Sequence, residues 1–168
     1  MLVDSHCHLN YKGLVEDLED TINRAKGANV GFILSISTKL SDFSSVLNIA
    51  KSFSNVACTV GIHPHESDSE PETDVKSLVK LTEHSKVLGI GETGLDFFYN
   101  NASRESQEHN FRTHIRASRE TQLPIIIHSR DADERTIKII NEEQKIGYFP
   151  GLIHCFSAGQ ELAECAIS

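Results

Sequence analysis

The chain has 168 residues, and 24 acidic against 16 basic side chains give it a formal charge of −8 at pH 7. That length suits one ordinary domain with a sizeable core. A hydrophobic content of 39% beside 24% charged residues excludes a disordered or fibrous chain. The acidic balance argues against an architectural nucleic-acid binder, because such proteins neutralise many phosphates with lysine and arginine. An acidic chain acts on nucleic acid only through a local site that supplies positive charge, such as bound metal ions.

No apolar run approaches the ~20 residues that a membrane-spanning helix needs, so we expect no membrane association. The first residues contain no basic segment before an apolar one, which predicts a cytoplasmic protein without a secretory signal. The four cysteines form no C-x-x-C pair and are expected to be reduced. Cys58 and Cys165 are interpreted as core residues. Cys7 and Cys155 lie beside histidines but are interpreted as structural rather than as metal ligands.

Short apolar runs alternate with amphipathic stretches along the whole chain. Six runs predict strands, at residues 2–3, 30–36, 55–62, 87–90, 125–128 and 151–154. Helical spacing of apolar residues lies between them, first at residues 14–25 and 43–50, then at 75–79, 137–140 and 162–166. A long polar helix with Phe111 and Ile115 on its inner face separates the fourth and fifth strands.

This alternation predicts an α/β fold, because parallel neighbouring strands require crossover connections of such length. Near-continuous apolar runs are typical of strands that are buried on both faces. A doubly wound sheet and a barrel both fit the pattern. Polar residues recur at the C-terminal ends of at least four strands, and those ends form a ring only in a barrel. The pattern therefore favours a TIM-type (β/α) barrel.

Histidine and glutamate at strand ends predict a metal site. His6 and His8 alternate around one residue, so both rings lie on the same side of an extended strand. Glu92, His128 and His154 follow three later strands. Taken alone, the glutamate could be paired with an arginine and each of the last two histidines could be a hydrogen-bonded core residue. Taken together, imidazole and carboxylate groups are the ligands of Zn²⁺, Mn²⁺ or Fe²⁺, and so many can hold two ions.

For other polar residues the sequence allows either a functional or a structural role. His63 and His65 flank a proline and predict either substrate binding or a hydrogen bond within the loop. Arg130, two residues after His128, could bind a phosphate in a bidentate manner or pair with one of the aspartates that follow it. Three further histidines are assigned to helices and interpreted as solvated: His84, His109 and His114.

Five motifs stand in order along the chain: DSHCHL at residues 4–9, GIHPH at 61–65, GETGLD at 91–96, LPIIIHSR at 123–130 and HCFS at 154–157. Together they resemble the TatD-type metal-dependent deoxyribonucleases, and the resemblance runs from Val3 to about Gly159. The resemblance implies a TIM-type barrel of the amidohydrolase superfamily with two divalent ions, Mg²⁺, Mn²⁺ or Zn²⁺. The implied activity is hydrolysis of phosphodiester bonds in DNA by a metal-activated water, often as a 3′-to-5′ exonuclease.

The resemblance also assigns roles to residues of this chain. His6 and His8 would hold one ion, His128 and His154 the other, and the catalytic Glu92 would lie between them. The expected substrate is DNA, either single-stranded or at its 3′ ends, with no obligate protein partner.

The chemistry of the remaining side chains indicates which of them could contact the substrate. His63 and Arg130 are the candidates for binding phosphate. Stacking of bases on Phe97, Phe98 or Tyr99 is a further possibility, against the reading that these aromatic residues only close the barrel.

One departure from the family changes the expectation for the whole chain. The family takes a last aspartate ligand from a Glu-Thr-Asp-x-Pro motif, which this sequence does not contain. A complete barrel takes roughly 250 residues and eight strands. We therefore interpret residues 1–168 as a single hydrolase domain, truncated at the C-terminus, with about six of the eight strands.

The exposed strand edges of an incomplete barrel and the missing aspartate lead to a set of expectations for the chain on its own. It should be marginally stable, self-associate, bind the His128 ion better than the His6 ion, and show little or no nuclease activity. Two alternatives remain open: an amide or ester hydrolase of the same superfamily, and an inactive remnant that binds only metal or a protein partner.

Overall fold

The structure is a computed structural model that describes residues 1–99 and 101–167. Strands and helices alternate throughout these residues. The strands are β1 (Leu2–Cys7), β2 (Val30–Ser35), β3 (Val56–Val60), β4 (Val87–Asp96), β5 (Ile125–Arg130) and β6 (Gly151–Ile153). The helices are α1 (Leu18–Gly27), α2 (Phe43–Ser52), α3 (Val75–Leu81), α4 (Arg104–Thr121), α5 (Asp133–Gln144) and α6 (Gln160–Ile167). None of the helices in the described ranges is long and apolar enough to cross a membrane.

The six strands form one parallel sheet, and each strand pairs with the next one in the chain. A doubly wound sheet reverses its strand order at a switch point. The uninterrupted order β1 to β6 is instead that of part of a (β/α) barrel. The predicted α/β fold, an incomplete TIM-type barrel with six strands, is confirmed.

Several predicted boundaries differ from the structure. The fourth strand does not end at residue 90, because β4 continues through Asp96 and pairs with β5 along this added length, Gly94 opposite His128. The first helix begins at Leu18 rather than at Leu14, since residues 11–17 form turns. The longer β4 matters for function, because Glu92 lies inside a strand rather than in a loop.

Glycine allows β4 to approach β5 closely at this point. Gly94 has a φ of +137°, and a Cβ atom on it would lie 2.1 Å from the backbone oxygen of His128. No side chain fits there, and glycine alone adopts this backbone conformation readily. The close approach sets Glu92 and His128 on neighbouring strands at the same edge of the sheet.

The hydrophobic core fills the space between the sheet and the helices in three clusters. One packs β1–β3 against α1 and α2 around Ile22, Ile33 and Val46. A second packs β4–β6 against α4, α5 and α6 around Phe111 and Ile139, and a small third cluster lies under α3. Burial of these apolar residues, each contributing about 1.5–3 kcal/mol, is the main stabilising contribution to the fold.

The prediction that the cysteines have structural roles is confirmed for three of the four. Cys58 is fully buried, and Cys165 is half-buried against the second cluster. Cys7 packs against the first cluster, and its thiol donates a hydrogen bond to the Leu34 carbonyl. Burial raises the pKa of Cys7 to about 12, so the thiol stays protonated. Cys155 is exposed where the chain turns after β6, so it contributes nothing to the core, and among the described residues it belongs to neither group of converging metal-ligand donors.

Candidate metal centre

The C-terminal ends of β1, β4, β5 and β6 bring the five predicted metal ligands together. His6 Nε2 lies 3.2 Å and His8 Nε2 3.8 Å from one carboxylate oxygen, Glu92 Oε2. His128 Nδ1 lies 3.0 Å and His154 Nε2 2.6 Å from the other oxygen, Glu92 Oε1. Glu92 thus lies between two histidine pairs, each of which faces one of its oxygens.

Glu92 is only 3% exposed, so its charge needs compensation. Within residues 1–99 and 101–167 its ion-pair partners are all imidazoles, and the alternative of pairing with an arginine is therefore wrong. Burial by itself raises the pKa of Glu92. Its contacts with the rings of His128, His154 and His6 outweigh burial and hold this pKa below its ordinary value, so the carboxylate is ionised.

The ring of His8 shows that a cation fits this geometry. His8 Nδ1 lies 3.2 Å from the Ile36 carbonyl, which only accepts hydrogen bonds, so Nδ1 carries the proton. Burial lowers the pKa of His8 and favours the neutral ring. The lone pair on His8 Nε2 therefore faces a carboxylate oxygen of Glu92. Two acceptors directed at the same space are stabilised by a cation between them.

The remaining donor atoms also fit a divalent ion. The ligand atoms of His6, His8 and Glu92 all lie within 4.8 Å of one another. His6 Nδ1 is buried without a hydrogen-bond partner among the described residues, while its Nε2 is directed at Glu92 Oε2. Two imidazoles and one carboxylate are ligands typical of Zn²⁺, Mn²⁺ or Fe²⁺.

His63 belongs to a second converging group, with Glu92 and His128, but its ring faces the site as a donor. His63 Nδ1 accepts a hydrogen bond of 3.1 Å from the His65 backbone amide, so the proton of the neutral ring lies on Nε2. Burial lowers the pKa of His63 to about 4. The Nε2–H group, 3.5 Å from Glu92 Oε1, suits a hydrogen bond to a substrate oxygen better than metal coordination.

Arg130 lies at the mouth of the site, two residues beyond His128 on β5. Its guanidinium carbon lies 4.3 Å from the centre of the Phe98 ring and 4.9 Å from that of Tyr99. Within the described part of the chain it forms no ion pair with a neighbouring aspartate, so that alternative is wrong. Arg130 and His128 both line a cavity of about 1130 Å³. A guanidinium that packs against aromatic rings keeps N–H groups available for an anion.

Asp96 is a site residue that the sequence analysis missed. It is 1% exposed, and its Oδ2 lies 2.8 Å from His65 Nε2 and 3.2 Å from His128 Nε2. The sequence does contain an indication, since Asp96 follows Glu92 at an even spacing and strand alternation puts both on one face. The expectation that the fourth strand ends at residue 90 hid that relation.

The three histidines interpreted as solvated do not share one environment. His109 is exposed on α4, and His84 lies half-buried in the turn after α3 rather than on a helix. The interpretation of His114 is wrong, because its ring is fully buried. Its spacing from Phe111 and Ile115, which places it on the inner face of α4, is the sequence signal of this burial.

His114 joins α4 to the segment that carries His63. Its Nδ1 donates to the Asn110 carbonyl at 2.7 Å, and its Nε2 accepts the Ile62 amide at 3.1 Å. Burial lowers the pKa of His114 to about 4, so the ring is neutral at pH 7 and makes both hydrogen bonds.

Replacing His114 by leucine should destabilise the protein by about 1–3 kcal/mol, because the Ile62 amide would be left buried without an acceptor. Urea unfolding followed by circular dichroism measures the change. His109→Leu, on the exposed face of the same helix, is the control and should change the free energy of unfolding by less than about 0.5 kcal/mol. Equal effects of the two substitutions would contradict a specific role for the buried ring.

Comparison with known families identifies the chain. The family model described as TatD related DNase matches residues 3–168. The chain belongs to the TatD-related DNase family. The resemblance drawn from the five motifs is thus confirmed.

Individual relatives and solved structures agree with this assignment. The chain is 36% identical over 165 residues to "Uncharacterized metal-dependent hydrolase YcfH" of Escherichia coli K12, covering 96% of this chain and 61% of that protein. It is 29% identical to "3'-5' ssDNA/RNA exonuclease TatD" of Shigella flexneri, covering 99% and 64%. The crystal structure of YJJV, a TatD homolog from Escherichia coli K12, superposes with a TM-score of 0.88 at 26% identity, covering 99% of this chain and 64% of that one.

A more distant structure shares the fold. An amidohydrolase from Saccharomyces cerevisiae superposes with a TM-score of 0.76 at 16% identity, covering 98% of this chain and 64% of that chain. The chain spans less than two thirds of the length of these relatives.

Proposed function

We propose that this member of the TatD-related family is a metal-dependent nuclease that hydrolyses phosphodiester bonds of single-stranded DNA from the 3′ end in the cytoplasm. The observation that carries the proposal is the ionised, buried Glu92 between two histidine pairs, each of which faces one of its oxygens. The name of the Shigella flexneri relative, a 3′-5′ ssDNA/RNA exonuclease, supports this choice of substrate.

The proposed reaction assigns metal binding to one set of residues and phosphate binding to another. Two divalent ions, Mg²⁺, Mn²⁺ or Zn²⁺, would supply an activated water and offset the charge on the phosphoryl oxygens. His6 and His8 would hold the first ion, His128 and His154 the second, and Glu92 both. His63 Nε2–H would donate a hydrogen bond to a phosphoryl oxygen, and Arg130 would bind a phosphate at the mouth of the site.

The mouth of the site also suits an unpaired nucleic-acid strand. Phe98 and Tyr99 are 53% and 43% exposed beside Arg130, so an aromatic surface and a cation lie next to each other. Bases of any sequence stack on aromatic rings, at about 1–3 kcal/mol each, once they are free of a duplex. This arrangement supports a preference for single-stranded ends.

Replacing Arg130 by lysine should raise KM for a single-stranded oligonucleotide several-fold and leave the metal content unchanged. Lysine keeps the charge but loses the planar group that binds phosphate with two hydrogen bonds and stacks on Phe98. Arg24→Lys, on the distant helix α1, is the matched control. If KM of Arg130→Lys equalled that of the control, Arg130 would not bind substrate.

A nuclease assay with three comparisons tests the proposed function. The Mn²⁺-loaded protein is incubated either with a 5′-labelled single-stranded DNA or with a small amide. Each reaction is run with and without chelator. The Glu92→Gln variant, treated in the same way, gives the background rate. We expect slow shortening of the DNA from its 3′ end that chelator abolishes. The rate should be low, because the sequence lacks the aspartate motif that the family resemblance implies. Chelator-sensitive cleavage of the amide alone, or no difference from Glu92→Gln, would contradict the proposal.

A further inference from the structure

Among the residues that the structure describes, Asp96 is the one buried carboxylate at the site that the chemistry above does not use. Its side chain lies between two rings, since both His65 Nε2 and His128 Nε2 lie within hydrogen-bond distance of its Oδ2. The carboxylate of an aspartate is ordinarily ionised at neutral pH and then only accepts hydrogen bonds, so each ring directs an Nε2–H group at Oδ2.

Hydrogen bonds to the carboxylate and to the backbone of Asp96 fix the orientation of its side chain. Asp96 Oδ1 accepts hydrogen bonds from the backbone amides of Phe98 at 3.1 Å and Tyr99 at 3.0 Å. The buried Gln107 of α4 accepts the Asp96 amide at 2.8 Å and donates to the Asp96 carbonyl at 3.1 Å. These contacts use Oδ1 and the backbone, and they leave Oδ2 directed at the two rings.

The two nitrogens of His128 face different carboxylates. Nε2 faces Asp96, while Nδ1 lies 3.0 Å from Glu92 Oε1 and 3.3 Å from His154 Nε2. A metal ligand needs a lone pair on the nitrogen that faces the ion, and the partner of the other nitrogen determines which one has it. Asp96 is therefore placed to keep the proton of His128 on Nε2.

We propose that Asp96 is a positioning residue that holds His128 in the form whose Nδ1 binds the metal ion, through the hydrogen bond from His128 Nε2 to Asp96 Oδ2. This inference rests on the proposed metal centre. His65 shares the same oxygen, so one carboxylate orients a ring on β5 and a ring in the short 3₁₀ helix Pro64–Glu66 that follows β3. Carboxylates that orient a ligand ring in this way typically contribute 10- to 100-fold to metal affinity.

The substitution Asp96→Asn is the sharpest test. An asparagine whose oxygen still accepts the Phe98 and Tyr99 amides presents an NH₂ group to the rings. His128 Nε2 must then accept, and its proton moves to Nδ1. We expect Zn²⁺ affinity to fall about 10- to 100-fold while cooperative unfolding is retained. His65→Phe, which removes the other partner of Asp96 Oδ2, is the matched control and should bind Zn²⁺ within about 3-fold of the parent.

Nitrogen-15 NMR of the Zn²⁺-loaded parent protein gives a second readout that requires no variant. We expect His128 to show a metal-bound Nδ1 and a protonated Nε2. Coordination through Nε2, or parental zinc affinity in a folded Asp96→Asn protein, would overturn the role of Asp96 and leave the metal centre standing. A parent protein that binds no Zn²⁺ would overturn the metal centre itself and this role with it.

Discussion

Glu92→Gln is expected to lose more bound metal, and more hydrolytic activity, than His6→Gln. Within the described residues Glu92 is the only carboxylate in the converging groups of donors, and its two oxygens face the two histidine pairs. The amide of glutamine supplies no charge and only one oxygen. Loss of a group that orients a ligand already costs 10- to 100-fold in metal affinity, so loss of the bridging ligand should cost more than about 100-fold.

Metal analysis of the two purified variants beside the parent protein measures this difference. His6→Gln is the matched control, because it removes one ligand of one ion and keeps the shared carboxylate. A Glu92→Gln protein that holds metal at the parental level would show that Glu92 does not bridge two ions.

Glu143→Gln is expected to lower the free energy of unfolding by about 3–5 kcal/mol, the usual cost of removing one partner of a buried ion pair. The Glu143 side chain is 1% exposed on α5 and faces three guanidinium groups of α4. Arg112, Arg116 and Arg119 each place a nitrogen between 3.0 and 3.5 Å from its carboxylate. A neutral amide leaves Arg116 and Arg119 without their carboxylate partner and leaves Arg112 with Glu142 alone.

Thermal unfolding measures the loss, which corresponds to a decrease in Tm of roughly 6–20 °C for a protein of this size. The neighbouring Glu142 provides the control. It pairs with Arg112 but is 40% exposed, so Glu142→Gln should cost less than about 1 kcal/mol. Similar changes in Tm for the two variants would show that burial of the Glu143 network does not stabilise the α4–α5 contact.

Six strands and the edge of the sheet that carries the site were predictable from the sequence. Buried parallel strands are continuous apolar runs, which stand out from amphipathic helices. The polar residues that interrupt such runs at their ends, His128 and His154 among them, therefore indicate a site. The pairing of His6 with His8 follows from strand alternation alone, and the inward packing of Cys7 agrees with it.

The missed features depend on contacts that local sequence patterns do not encode. Residues 91–96 contain two glycines and two acids, so they have the composition of a loop, yet they pair with β5 as a strand. Asp96 was overlooked for that reason. His114 lies in a helix that is polar as a whole, and its burial depends on the Ile62 amide from a distant segment. The donor role of His63 depends on a backbone amide two residues away.

The most direct test of the central claim, a two-ion centre bridged by Glu92, is anomalous X-ray diffraction from crystals of the protein grown with Mn²⁺ or Zn²⁺. We expect a strong peak between Glu92 Oε1 and the His128–His154 pair, and a weaker one between Glu92 Oε2 and the His6–His8 pair. Each ion should lie about 2.0–2.2 Å from its nitrogen and oxygen ligands. Anomalous density that is absent from both sides of Glu92, or present only elsewhere on the protein, would contradict the claim.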